Sequence, residues 1–260
     1  SDYFITKPCG FQLSTSMGTF EPDINQPLAK GAQIIAEHYR NKYGVNINII
    51  DHSSTVDTGA NLYKRFKQFF ADILPTLTLV NNNSVGFILM HETHHAVPLI
   101  ITRENDINYI IIFDSNSGAR KKGYISMANL APNYKLLLND HTRQADHGSC
   151  VTDALSILKD ALRLENLATN IEAYKLVSID TLTPSPERIS GITSEKLRQP
   201  NLSLFNMPEP LLKTAQISKY ITDSDAILDA VIRPPHKPAT DQQGRVKPQT
   251  LSERRTSDEL

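Results

Sequence analysis

The chain has 260 residues, 40% hydrophobic and 21% charged, with a net charge of -1. That is room for a self-sufficient core, and it excludes a global basic field for nucleic acid or an anionic membrane. Two distant cysteines, Cys9 and Cys150, make neither a disulfide framework nor a zinc quartet, and a reducing compartment is the default reading.

No apolar run reaches the ~18 residues that would mark a membrane span, and the opening "SDYFITKPCGF" lacks the pattern of a signal peptide. After about 25 irregular residues, "NQPLAKGAQIIAEHYRNKYG" reads as a helix from Asn25 as N-cap to Gly44 as stop. "VNINII" alternates as a strand. In "TGANLYKRFKQFFADIL", Leu62, Phe66, Phe69, Phe70 and Ile73 fall on one helical face. "TLTLV", "GFILM", "AVPLIIT" and "NYIIIF" are short apolar runs between turn residues, read as strands. "NDIN" between the last two predicts a hairpin. Pro98 lacks a backbone donor, so that strand is expected at an edge or with a bulge.

"YKLLL" adds a strand, and Val151, Ala154, Leu155, Leu158 and Leu162 share one face of a further helix. Ile171 to Ile232 reads as mixed and mostly helical. Arg233 to Leu260 carries four prolines and almost no apolar residues, which predicts a flexible tail. Helices, then a sheet, then helices argue for an α+β fold.

Cys150 stands where the last clear helix begins. The positive end of a helix favours a thiolate, the form that acts as a nucleophile. A catalytic cysteine also needs a base and a group to orient that base. His95 heads one arm of the predicted hairpin and Asp114 follows the other, so antiparallel pairing brings them together at one end of the sheet. Gln144 can offer an amide to an oxyanion. The bland readings are a buried core cysteine, loop histidines, a turn-capping Asp114 and a solvated Gln144. His91 and His94 compete with His95 for the role of base. His141 and His147 sit too close to Cys150 along the chain to be well aimed. The cluster of His91, His94 and His95 matches no standard zinc spacing.

The order His95, Asp114, Gln144, Cys150 resembles clan CE cysteine enzymes, which include SUMO and viral proteases and the YopJ-type effector acetyltransferases. Gln144 precedes Cys150 by 150 − 144 = 6, as in the clan's Gln-x5-Cys signature, and His95 precedes Asp114 by 114 − 95 = 19, the spacing of YopJ-type proteins. "GFILMHETHHAVPLIITRENDINYIIIFDSNS" is similar to the YopJ-type stretch around the histidine. The resemblance covers roughly residues 25–164 and departs at Asp114, where YopJ has Glu, and at Val151, where glycine is common. Ala96 stands where the clan's peptidases often carry Trp, which leans away from that branch.

The resemblance implies a papain-like or Ulp-like core, a mixed sheet flanked by helices, with a helical C-terminal extension. It implies a catalytic domain over residues 1–232, its regulatory and cofactor part over about 165–232, and the tail over 233–260. It also implies an effector secreted by a bacterium into the host cytoplasm, acetylating Ser, Thr or Lys of host signalling proteins such as kinases. Acetyl-CoA would be the donor and inositol hexakisphosphate the activator. The alternatives are a deubiquitinase or Ubl-specific protease, or an inactive binding module. Arg120 to Lys122, Arg188, Lys196, Arg198, Lys213 and Lys219 read by default as solvated surface. The closing "SDEL" is treated as chance.

Overall fold

The structure, a computed structural model, describes residues 4–7, 27–51, 62–91, 95–115, 124, 127–140, 150–177 and 201–212. In chain order these form α1 (Pro27–Tyr43), β1 (Ile47–Asp51), α2 (Leu62–Asp72), β2 (Ser84–His91), β3 (His95–Glu104) and β4 (Ile107–Ile112). There follow β5 (Lys135–Asn139), α3 (Cys150–Ala161), α4 (Leu167–Tyr174), β6 (Leu202–Phe205) and α5 (Glu209–Leu212). The fold is α+β. One mixed sheet has the order β1-β2-β3-β4-β5-β6, with β2, β3 and β4 antiparallel and the flanking pairs parallel.

The central strands are covered on both faces, which is why they read as nearly unbroken apolar runs. Ile47, Ile49, Ile88, Ala96, Ile100 and Ile111 pack on one side with Ala32, Ile35 and Tyr39 of α1 and Leu155 and Leu158 of α3. Phe87, Leu99, Ile101, Ile110 and Ile112 pack on the other with Phe66, Phe69 and Phe70 of α2. Glycine at 86 lets α3 come close: a Cβ there would stand 3.0 Å from Leu162 Cδ1 and 3.3 Å from Leu158 Cδ1.

Gly44 ends α1 as expected, with φ 71° and its N–H bonded to the Arg40 carbonyl at 2.9 Å. Asn25, the expected N-cap, lies outside the described residues, as does the whole tail. The expected hairpin is β3–β4. Asn105 and Asp106 have φ of 50° and 63°, the two left-handed residues of a type I′ turn.

Three expectations are corrected. "TLTLV" is not a strand: Leu74–Thr76 is a 3-10 turn, and Leu77 and Leu79 pack against the α2-side core from an extended segment outside the sheet. The C-terminal extension is not wholly helical, because Leu202–Phe205 is the sixth strand of the sheet. Nor is β3 an edge strand: it lies between β2 and β4 and shows no break in register. Pro98 is tolerated because its carbonyl accepts from Phe113 N–H at 2.9 Å. In an antiparallel ladder a residue's N–H and C=O face the same neighbour. The missing donor therefore faces β4 just where that strand has ended, at Ile112.

Glu104 closes β3 at its far end. Its buried carboxylate accepts from Ala168 N–H at 3.1 Å, Thr169 N–H at 2.9 Å and Thr169 Oγ1 at 2.7 Å, capping α4 from another element. Glu104→Ala leaves the buried Ala168 N–H and the half-buried Thr169 donors without that acceptor and is expected to cost about 3 kcal/mol. Urea unfolding of the two proteins measures this, and a loss below ~1 kcal/mol would show that water replaces the carboxylate.

Candidate active site

His95 is the first residue of β3 and is 6% exposed. Asp114 lies two residues beyond β4 and is fully buried. The ladder pairs Leu99 with Ile112, so its continuation sets Asp114 opposite Val97 and diagonal to His95 on the same face. The two side chains meet: His95 Nε2 stands 2.6 Å from Asp114 Oδ1. An ionised carboxylate only accepts, so Nε2 carries the proton and Nδ1 is the ring's basic nitrogen.

Cys150 is the first residue of α3 and is 8% exposed. Its place along the sheet follows from the packing. Leu158 and Leu162 sit over Gly86, which pairs with Ile100 of β3. The next helix, α4, is capped by Glu104 at the far end of β3. Helix α3 therefore runs in the same direction as β3, and both begin at one end of the sheet. From Leu158 back to Cys150 is about 12 Å along the helix. From Ile100 back to Ala96 is about 13 Å along the strand. On that reckoning Cys150 comes level with Ala96, with which it shares a core cluster, along with Met90 and Phe113. His95 and Asp114 continue the α2 side of the sheet, whereas Cys150 opens the helix on the other.

Gln144 lies outside the described residues, as do His94, His141 and His147. His91 pairs with His95 through the backbone. Among the described residues no group of three or more His, Cys, Asp or Glu could hold a metal ion, and no helix is long and apolar enough to cross a membrane.

Two residues enter the site unannounced by sequence. The Tyr124 hydroxyl donates to Asp114 Oδ2. Asn139 Nδ2 donates to the Asp114 carbonyl at 3.0 Å. Nothing in "RKKGYISM" marks Tyr124. Asn139 left a signal, since it is a polar residue ending the apolar strand beside β4 at the end where Asp114 emerges.

Two other features stand apart. A cavity of about 230 Å³ is lined by Lys7, Ser84, Thr102, Glu104 and Glu165 among others, and shares no residue with the His95–Asp114 pair. Burial pushes the Lys7 ammonium below its ordinary range, against the pull of Glu104 and Glu165. Two carboxylates facing one such cation suit no polyphosphate. Lys42, Lys159 and Arg163 gather around Tyr39 and Tyr43, with Arg163 4.5 Å from the Tyr43 ring centre. Lys159 and Arg163 lie at the end of α3 away from Cys150.

No protein-family model and no curated protein matches the sequence. Among solved structures the chain is similar to AvrA delL154 with IP6 and CoA, at 14% identity and a TM-score of 0.38, covering 87% of this chain and 77% of that one. It is similar also to HopZ1a in complex with IP6, at 13% identity and a TM-score of 0.42, covering 89% of this chain and 84% of that one. Both are YopJ-family effectors. The overlaps are too loose to carry fold or function, which rest on the residues above.

Proposed function

We propose that the chain is a YopJ-type effector acetyltransferase that works through a cysteine nucleophile. The observation that carries this reading is the buried 2.6 Å contact between His95 Nε2 and Asp114 Oδ1, at the end of the sheet where α3 begins with Cys150. Asp114 orients the ring, and Nδ1 takes the Cys150 proton. The thiolate attacks the acetyl carbonyl of acetyl-CoA, forming a carbon–sulfur bond. The tetrahedral intermediate then expels the CoA thiolate, which takes its proton from His95. In the second half His95 removes a proton from a Ser or Thr hydroxyl, or from a Lys amine, of the acceptor. That oxygen or nitrogen attacks the acetyl carbon and Cys150 leaves as thiolate. Gln144 and a backbone N–H near Cys150 are the donors proposed for the oxyanion.

The acceptors on this reading are host signalling proteins such as kinases, met in the reducing host cytoplasm after secretion by a bacterium. Inositol hexakisphosphate is the proposed activator. The basic residues after Cys150 from Arg188 to Lys219, read by default as solvated surface, lie outside the described residues, and no step is routed through the activator.

The test is labelled acetyl-CoA, with and without inositol hexakisphosphate, following label on the chain and on added kinases. Ubiquitin and SUMO probes with electrophilic C-termini are offered in parallel. The expected result is label dependent on Cys150 and His95, with the probes unreacted. Capture of a probe by Cys150 without acetyl transfer would overturn the transferase and install the protease. Neither label nor capture would leave the binding module.

A further inference from the structure

A carboxylate removed from water must find donors for its oxygens. Asp114 is fully buried, and donors reach it from at least three directions. His95 serves Oδ1, the Tyr124 phenol serves Oδ2, and Asn139 holds the backbone carbonyl. A hydrogen bond on one oxygen leaves a carboxylate free to turn about that contact. Held on both oxygens, its plane is fixed, and with it the tilt of the histidine ring.

Tyr124 is suited to that task. It is itself fully buried. Its ring packs edge-on against Phe66 of α2, with centres 5.8 Å apart at 78°. A tyrosine has only two side-chain torsions, so a packed ring also fixes where its hydroxyl points.

We infer that Tyr124 is a positioning residue for the reaction: its hydroxyl pins Asp114 Oδ2, so that Oδ1 keeps His95 turned with Nδ1 toward the thiol. The inference rests on reading Cys150 and His95 as nucleophile and base. It extends that apparatus to a fourth side chain, and through Phe66 to the helix on the other side of the sheet from α3.

A hydroxyl that only satisfies a buried carboxylate would matter to stability alone, and the experiment separates the two roles. Tyr124→Phe keeps the ring and removes the O–H. The full-length chain and the variant are compared in three ways. Alkylation of Cys150 by iodoacetamide is followed on its own peptide, with Cys9 as internal reference. The downfield proton resonance of a histidine N–H held by a carboxylate is recorded, assigned by its absence from His95→Ala. Thermal unfolding is measured alongside. Loss of one hydrogen bond to a charged group is expected to slow Cys150 alkylation by about tenfold. The resonance should broaden or vanish, while the chain stays folded with a melting temperature lower by a few degrees. A lower melting temperature with unchanged alkylation and an unchanged resonance would overturn the inference. The reading of the active site fails on a different observation, namely wild-type Cys150 alkylating no faster than in the urea-unfolded chain. In that event the positioning role in the reaction falls with it, whatever the resonance does.

Discussion

Cys150→Ala is expected to lower acetyl transfer by at least about a thousandfold, to the level left by binding alone. His95→Ala should fall as far. The double variant should fall no further than either single one, because the two groups act on one proton transfer and their losses do not add. Asp114→Asn keeps the shape but offers Nε2 an amide, which can select the wrong tautomer, and a loss on the order of 10⁴ is the precedent for that change in a triad. The fold should survive Cys150→Ala, since the residue is small and stands at the first position of α3. Single-turnover labelling, with circular dichroism on the same samples, reads both effects. Cys150→Ala protein that still takes up acetyl label on another residue would mean that the nucleophile had been misassigned.

Phe66→Ala is expected to be the most damaging single truncation in α2, at about 3–5 kcal/mol. Phe66 is fully buried and makes edge contacts with Phe69, Phe70 and Tyr124 at 6.5, 5.6 and 5.8 Å. Small side chains cannot close that gap, because Phe69 is itself wedged against Phe87 of the sheet at 5.1 Å. For a chain of this size the melting temperature should drop by roughly 10 °C. Phe66→Leu should cost less than half as much while still loosening Tyr124. A calorimetric scan of both variants, with Cys150 alkylation measured below their transitions, distinguishes global unfolding from a displaced phenol. A melting temperature unchanged in Phe66→Ala would mean that the aromatic cluster is not a cooperative part of the fold.

The hairpin, both ends of the His95–Asp114 pair, the Gly44 stop and the helix behind Cys150 were legible because each is a local rule. Two turn residues, a period of two, a left-handed glycine or a period of 3.6 can be read without knowing the partner element. What failed depended on partners. "TLTLV" alternates as a strand does, but alternation says only that one side is covered. Here Leu77 and Leu79 are covered by the α2-side core, and among the described residues no strand pairs with them. "LSLF" is too short to declare a period, and it becomes β6 because β5 offers it an edge. Pro98 was read as an edge signal, since sequence does not reveal on which side a missing donor falls. Tyr124 carried no pattern at all: its role comes from where Phe66 and Asp114 stand in space.

The two-residue turn at Asn105 and Asp106 leaves β3–β4 no slack, and this constrains how such a chain can change length. The interval of 114 − 95 = 19 residues from histidine to acid is the hairpin counted down one arm and up the other. Insertion of one residue into either arm would slip the register and turn one partner to the opposite face. One residue added to both arms would preserve the pair but reverse its sides relative to the rest of the sheet. Only two in each arm restores both relations, so with the turn unchanged the interval can grow or shrink only in steps of four. Among length variants made in this hairpin, a His–Asp contact should survive only where both arms change equally, and only changes of four in the interval should keep that contact on the α2 side of the sheet.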